Sequence, residues 1–298
     1  MSKIVGITGI GIMGSAMSAN LIKDGFRVVG FDPSPTAMAA HKARGGIVAT
    51  SPREVAEAAA IIVASLPSAA ALYDVASGIA NAKGRGQIVI ECSTLALDAK
   101  RHAHDVLADG GKILLDCPVS GTGAQAARKD LLVFGSGDEA AFERCGTVFD
   151  GMSRGRRYLG PFGNGSVMKY LANLLVTIHN VASAEAMVLG IKAGLDPALI
   201  YETLADSAAT SRILEVRGPL MRDDSYDQPT ATITTHMKDM AIIEAFANGL
   251  GCPVPLFAAA SQIHYAAAGQ GRGHQDTAAV CAVLEAMAGV KRGRKNKR

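Results

Sequence analysis

The segment Gly9-Ile10-Gly11-Ile12-Met13-Gly14 constrains this chain more than any other. It follows an apolar run at 3–9 with the pattern of a β-strand and opens an amphipathic segment at 15–24 with the pattern of a helix. G-x-G-x-x-G in that setting combines a tight turn, a backbone that a ligand can approach, and a helix N-terminus with unpaired N–H donors. The hexapeptide alone is a weak signal. A strand before it, a helix after it and an acid at the end of the next strand make it specific. That acid is Asp32, closing the apolar run 27–32, 18 residues beyond Gly14. The expected ligand is a dinucleotide, its pyrophosphate over Gly9, Gly11, Ile12, Met13 and Gly14 and its adenosine ribose on Asp32. A carboxylate there accepts from ribose hydroxyls and repels a 2′-phosphate. Pro33-Ser34-Pro35 supplies no arginine, so NAD is expected rather than NADP. A flavin, a bare nucleotide or an empty glycine turn are the other readings of such a loop.

The first half continues the strand–helix alternation. Further strands are predicted at 60–66, 87–92, 112–117, 131–135 and 156–159, with helices between most of them. Ser34-Pro35 and Ser51-Pro52-Arg53-Glu54 look like helix starts, the second a capping box with proline at the first helical position. This order predicts a mostly parallel, doubly wound sheet, a Rossmann-type α/β domain over 1–162. In such sheets ligands sit beyond the carboxyl ends of the strands, where Ala64-Ser65-Leu66-Pro67 and Cys92-Ser93-Thr94 fall; each is equally an ordinary turn.

The pattern changes in the glycine-rich stretch Gly160-Pro161-Phe162-Gly163-Asn164-Gly165. Beyond it no strand is predicted. A helix over 166–193, roughly 40 Å long, is followed by helices at 197–205, 235–248, 255–267 and 276–288. The expectation is an all-α domain over 163–298 for substrate binding and homo-oligomerisation, as a dimer or a tetramer. The net charge of +3 comes from residues 291–298, which hold six Lys/Arg and no acid. The body without them is slightly acidic, so no nucleic-acid partner is expected, and the tail is predicted to be a solvated end. Five cysteines without a C-x-x-C pair suit free thiols in a reducing compartment. No signal-peptide pattern precedes the first strand, and the apolar stretch 171–189 is interrupted by Asn173, His179, Asn180 and Glu185. The expectation is a cytoplasmic protein without a membrane partner.

The first helix of the second half carries a polar stripe. Ser166, Lys169, Asn173, Thr177 and Asn180, at spacings of 3, 4, 4 and 3, share one face. A lysine there, near a domain boundary, can face a crevice, where burial would lower its pKa and make it a usable general base. The same stripe also suits a helix resting on a neighbour, with Lys169 snorkelling to solvent. The loop Asp116-Cys117-Pro118-Val119-Ser120-Gly121-Thr122-Gly123 offers backbone N–H groups that could hold an anion such as a carboxylate. Other polar groups carry weaker signals. His102 and His104, two apart on a predicted helix, do not share a face and make a poor metal site; no metal is expected. His179 suits a core or interface position. His236 either lines a pocket or starts a helix, Asp239 either pairs with a cation or caps it, and Asp276 suits an N-cap.

Four blocks together resemble the β-hydroxyacid dehydrogenase family, which includes 3-hydroxyisobutyrate, tartronate-semialdehyde and threonate dehydrogenases and is related to 6-phosphogluconate dehydrogenase. They are Gly9–Gly14 with Asn20-Leu21, Asp116-Cys117-Pro118-Val119-Ser120-Gly121, Gly163-Asn164-Gly165-Ser166-Val167-Met168-Lys169 with Asn173, and His236-Met237-Lys238-Asp239. The likeness spans roughly 3–288. It implies reversible hydride transfer between NAD and a small 3-hydroxy carboxylate, giving the semialdehyde or ketone. It implies Lys169 as catalytic acid/base and Asn173 as the group that orients the substrate. Ser120, Gly121 and Thr122 would hold the substrate carboxylate, Lys238 would reach cofactor and substrate, and Leu66, Pro67 and Thr94 would contact the cofactor. Three positions depart from the family: Thr122 replaces a usual glycine, Ala172 a frequent asparagine, and Val176 the glutamate that assists decarboxylation in the phosphogluconate branch. Oxidative decarboxylation is therefore not expected. An imine-reducing relative and a non-catalytic dinucleotide-binding module are the rival readings, and both branches tend to lack the lysine present here as Lys169.

Overall fold

A computed structural model describes residues 3–292, which divide between Lys169 and Tyr170 into two compact units. The division falls inside a helix, later than the 162/163 boundary suggested by the glycines.

In the first unit, β1 (Ile4–Thr8), β2 (Arg27–Phe31), β3 (Ile47–Val48), β4 (Ile61–Ala64), β5 (Ile88–Glu91) and β6 (Ile113–Asp116) form one sheet of order β3-β2-β1-β4-β5-β6. Every pairing in it is parallel. The helices that cross between strands are α1 (Ile12–Lys23), α2 (Pro35–Ala43), α3 (Pro52–Ala58), α4 (Ala69–Ala80) and α5 (Leu97–Asp109). Both faces of the sheet are covered: Ile88 and Ile90 pack into one apolar cluster with Met17, Leu21 and Phe149, while Val89 packs into the other with Leu72, Ile79 and Leu107. Strands buried on both faces give near-continuous apolar runs, which is why they stand out in the sequence. The order reverses between β1 and β4, and the register Thr8↔Phe31, Thr8↔Ala64, Ala64↔Glu91 and Glu91↔Asp116 brings five strand ends level at the switch point.

The rest of this unit departs from the parallel pattern. β7 (Val119–Ser120), α6 (Gly123–Ala127), β8 (Leu132–Gly135), α7 (Glu139–Arg144), α8 (Gly146–Met152) and β9 (Gly155–Tyr158) follow. Their strands form a separate sheet, β7-β8-β9, with β7 antiparallel to β8. Only Cys117-Pro118 separates β6 from β7, too little chain for the crossover that a parallel neighbour requires. β3 and β7, two residues each, are too short to leave an alternating pattern. The cap of α3 also differs in detail. Ser51 Oγ accepts from Glu54 N–H at 3.2 Å, but the Glu54 carboxylate returns to Thr50, accepting from its N–H at 2.7 Å and its hydroxyl at 2.8 Å.

Helix α9 (Asn164–Lys192) leads into α10 (Pro197–Ala205), α11 (Arg212–Asp223), α12 (Ile233–Gly249), α13 (Pro255–Gly269) and a 3₁₀ turn, Thr277–Ala279, that continues as α14 (Val280–Ala288). α11 was hidden in the sequence by Gly218-Pro219, a pair that usually breaks helices. Here a Cβ on Gly218 would stand 2.5 Å from the Tyr201 ring, so the glycine lets α10 and α11 pack closely. α9 is the one helix among the described residues long and apolar enough, by length and composition alone, to cross a membrane. Its polar face is engaged by protein partners: Thr177 Oγ1 meets His236 Nε2 at 2.8 Å, and Asn180 Nδ2 donates to the Thr277 carbonyl at 2.7 Å. Asp276 caps the 3₁₀ turn at Ala278 N–H and pairs with the buried Arg217, 3.3 Å away. Arg292, the last described residue, is not a free solvated cation. Its Nε donates to Glu285 Oε1 at 2.6 Å and its Nη1 to the Arg222 carbonyl at 2.8 Å. Residues 293–298, the remainder of the predicted basic tail, lie outside the described residues.

The buried polar core of the second unit makes a pH prediction. His264 is fully buried, with Nδ1 facing the Ala260 carbonyl at 3.1 Å and Nε2 facing Asn180 Nδ2 at 3.4 Å. Burial pushes its pKa down to about 4, with Arg217 adding to the effect and the Ala260 carbonyl opposing it. The folded protein therefore keeps this ring neutral where the unfolded chain, near 6.5, already binds a proton. The stabilisation is complete above pH 6.5 and is lost as pH falls toward 4, on the order of 3 kcal/mol by linkage. Melting temperature should drop across that window, and His264→Gln should flatten the slope. Parallel losses in both proteins would remove His264 as the cause.

Candidate active site

The glycines of the 9–14 loop each have a separate structural reason. Gly9 has φ +82°, and a Cβ there would stand 2.1 Å from the Ser65 carbonyl oxygen. A Cβ on Gly14 would stand 1.9 Å from the Gly9 carbonyl oxygen, so this glycine lets α1 close onto the turn. A Cβ on Gly11 would meet no atom within 4 Å. Gly11 is the N-cap of α1 and gives it no side-chain hydrogen bond, while Ile12 is exposed. The loop therefore offers free helix N–H donors, including those of Met13 and Gly14, over open space that only a residue without Cβ leaves clear. That is a fit for a pyrophosphate. Asp32 closes the loop from below: Oδ2 accepts from Ile10 N–H at 2.7 Å and Oδ1 from Ser34 N–H at 2.8 Å. A carboxylate has about four acceptor directions, so capacity remains for hydroxyls.

The Gly9 turn abuts Leu66, and Leu66 is held in turn by its neighbours. Its N–H donates to Ser93 Oγ at 2.7 Å, and Ser93 N–H donates to Glu91 Oε1 at 2.9 Å. Pro67 is exposed and Thr94 half-buried at the same strand ends. Glu91 and Asp116, closing β5 and β6, share the Lys100 ammonium of α5 at 2.7 Å each, and all three side chains are fully buried. Burial disfavours the Lys100 charge, but the two carboxylates outweigh it and hold the pKa above the usual lysine value. Asp116 also caps α9. Its Oδ2 accepts from Ser166 N–H at 2.7 Å and its Oδ1 from Ser166 Oγ at 2.8 Å. Ser136 Oγ accepts from the N–H groups of Gly163 and Gly165 at 3.2 and 3.0 Å. A Cβ on Gly165 would lie 2.4 Å from the Phe134 carbonyl oxygen, so the glycine is what lets this first turn seat against the strands. Lys169, half-buried, follows one turn after Ser166.

The loop after β6 brings Ser120 and Gly121 to the end of β7, with Gly121 at φ +140°. The Thr122 N–H is not available to a ligand: Gln125 Oε1 takes it at 3.0 Å, closing a capping box at the start of α6. A Cβ on Gly123 would stand 2.5 Å from Ile12 Cγ2, so this loop meets the dinucleotide loop. In the second unit, Asn173 Nδ2 donates to Asp239 Oδ2 at 2.8 Å, and Lys238 Nζ lies 3.3 Å from Asp239 Oδ1. Asp239 thus gathers two residues singled out from the sequence. His236 is buried against Thr177 and the His264 ring, a framework position. His102 and His104 face Tyr73 and Phe162 separately, and among the described residues no group of three His, Cys, Asp or Glu side chains could hold a metal. The sequence reading missed Glu91, Lys100, Gln125 and Ser136, and named Ser93 only within the strand-end segment 92–94. One signal was there: Lys100 lies on the same helix face as Ala99, Ala103 and Leu107, a charge within an apolar stripe.

Gly11 provides a direct test of the cradle. Gly11→Ala should fold normally and lose no more than roughly 1 kcal/mol, the usual range for an N-cap change. Its dinucleotide affinity should fall at least about tenfold, because the new methyl occupies ligand space. Unchanged affinity, measured by NADH fluorescence titration, would move the pyrophosphate elsewhere.

Two family models cover this chain in succession. That for the NAD binding domain of 6-phosphogluconate dehydrogenase matches residues 4–162, and that for the NAD-binding domain of NADP-dependent 3-hydroxyisobutyrate dehydrogenase matches residues 163–284. L-threonate dehydrogenase of Cupriavidus necator is 31% identical over 289 residues, covering 95% of this chain and 97% of that protein. 2-(Hydroxymethyl)glutarate dehydrogenase of Eubacterium barkeri is 32% identical over 293 residues, covering 96% of each. The solved structure of Mycobacterium tuberculosis 3-hydroxyisobutyrate dehydrogenase with L-serine superposes with a TM-score of 0.88 at 26% identity, over 95% of this chain and 99% of that one. With a dinucleotide cradle at the switch point and likeness along nearly its whole length, the chain belongs to the β-hydroxyacid dehydrogenase family, oxidoreductases that use a dinucleotide cofactor on small hydroxy acids.

Proposed function

We propose that this protein oxidises a small 3-hydroxy carboxylate reversibly with NAD, and that Lys169 is the general acid/base. The observation that carries the reading is the seating of Lys169. It follows one turn after Ser166, whose amide and hydroxyl are both fixed by the buried Asp116 at the end of β6. A lysine held at the end of the sheet's central strands suits proton transfer beside a dinucleotide bound at the switch point. The bound cofactor supplies C4 of nicotinamide as hydride acceptor. Neutral Lys169 takes the proton from the substrate hydroxyl as hydride leaves the same carbon, so alcohol and oxidised cofactor give carbonyl, reduced cofactor and one proton on Nζ. In reverse, Nζ returns that proton to the developing alkoxide. Asn173, its amide held by Asp239, orients the hydroxyl. Ser120 and Gly121 hold the carboxylate, while Thr122, its own N–H committed to Gln125, fixes the loop's shape. Lys238 adds positive charge for substrate and cofactor. Leu66, Pro67 and Thr94 would contact the cofactor. The exposed Leu171, Leu175 and Leu189 on α9 support a homo-oligomer built on the helical unit.

Two substitutions at Lys169 separate proton transfer from charge attraction. A positioned acid/base is typically worth ~10²–10⁴-fold. Lys169→Ala should lower kcat by that order while NADH still binds. Lys169→Arg keeps the charge, but its guanidinium stays protonated and cannot accept a proton, so it should fail nearly as badly. Near-normal kcat in a folded Lys169→Arg protein, checked by circular dichroism, would reduce Lys169 to a substrate-binding charge.

The cofactor preference rests on Asp32, whose unused acceptor directions suit ribose hydroxyls and whose charge opposes a 2′-phosphate. The protein should favour NAD by a large factor in kcat/KM, and Asp32→Ala should weaken NAD binding and erode the discrimination. Equal or better use of NADP by the unmodified protein would overturn this assignment.

A further inference from the structure

A continuous run of buried polar contacts crosses the first unit. It starts at Leu66 N–H on Ser93 Oγ and passes through Ser93 N–H to Glu91 Oε1. It crosses from Glu91 to Asp116 through the Lys100 ammonium, and ends at Ser166, whose amide and hydroxyl both bond Asp116. One end is the loop against the Gly9 turn, where a Cβ on Gly9 would stand 3.1 Å from Leu66 Cδ2. The other end is the turn before Lys169. Stability alone does not account for this cluster. Three ions withdrawn from water carry a large desolvation cost, and apolar replacements for such groups are often neutral or stabilising. Two carboxylates share one ammonium, leaving a surplus negative charge. That charge faces the N-terminus of α9, a 29-residue helix whose dipole presents positive charge there. Hydrogen bonds and charge therefore both hold the first turn of α9 on Asp116.

We propose that Lys100 is a positioning residue: by tying Glu91 to Asp116 it holds the cofactor-side loops at Leu66 and Ser93 and the Lys169 turn of α9 in one fixed geometry. This inference rests on Lys169 being the acid/base. Lys100 touches neither substrate nor cofactor in this account. It acts through Asp116 on one side and through Glu91 and Ser93 on the other. Breaking the run at either end should disturb one half of the site, and breaking it at Lys100 should disturb both.

The test uses the full-length protein with Ser93→Ala, Ser166→Ala, Lys100→Met and Lys169→Ala, reading NADH affinity by fluorescence titration and kcat at saturating cofactor. Hydrogen bonds to ionised groups justify effects of about tenfold. Ser166→Ala should lower kcat about tenfold with the NADH Kd within about twofold of the unmodified protein. Ser93→Ala should raise the Kd several-fold with kcat within about twofold. Lys100→Met should do both. A folded Lys100→Met protein with only a lower melting temperature, its kcat and Kd unchanged, would overturn the proposal and leave Lys100 a structural residue. Should Lys100→Met fail to fold, the two serine variants decide: equal effects on kcat and Kd, or none, overturn it. Full kcat in Lys169→Ala would overturn the lysine assignment itself, whereas an inactive Lys169→Ala beside normal serine and Lys100 variants overturns only the positioning role.

Discussion

The Lys100 ammonium, enclosed with the carboxylates of Glu91 and Asp116, is the constraint around which the first unit is arranged. Neither acid could be buried at a strand end without a cation, and no lysine could be buried beneath them without both. Their positions follow from the sheet. Glu91 and Asp116 are register partners on adjacent parallel strands, so their side chains leave the sheet at the same level. α5, crossing from β5 to β6, brings Lys100 back over that pair. The same Asp116 then receives the first turn of α9. A single buried carboxylate thereby connects the doubly wound sheet to the helix that carries Lys169.

At the other side of the switch point the determining quantity is space. Gly9, Gly14, Gly165 and Gly123 each stand where a Cβ would strike a backbone or side-chain atom, so they bring segments together. Gly11 differs in having nothing within 4 Å of where its Cβ would stand. The loop after β6 and the glycine loop meet, since a Cβ on Gly123 would strike Ile12. Thr122, unusual for the family, does not simply enlarge a side chain there. Its capping box commits the Thr122 amide to Gln125 and fixes the start of α6.

In the second unit the polar stripe of α9 resolves into different roles. Asn173 meets Asp239, while Thr177 and Asn180 bind His236 and the Thr277 carbonyl inside the helical core. The neighbour-facing reading of the stripe drawn from the sequence therefore holds for Asn173, Thr177 and Asn180. A stripe at helical spacing defines a face, but only the neighbouring helices determine which part of that face meets a partner.

The sequence by itself determined what depends on residues near one another in the chain. The glycine loop between strand and helix, the acid at Asp32, the caps at Ser34, Ser51 and Asp276, the doubly wound order and the helical second half all follow from local backbone preference and the burial period. Its local signals misled where they conflicted with packing, as at Gly218-Pro219 in α11, or where elements were too short to show a period, as in β3 and β7. The tertiary structure alone decided the pairings between distant residues: Lys100 with Glu91 and Asp116, Asp116 with Ser166, Asn173 with Asp239, Arg292 with Glu285, and the separate β7-β8-β9 sheet. The reason is physical. A buried charge needs an opposite charge within hydrogen-bond reach, but the partner's position along the chain is free, so the requirement leaves no spacing in the sequence to read.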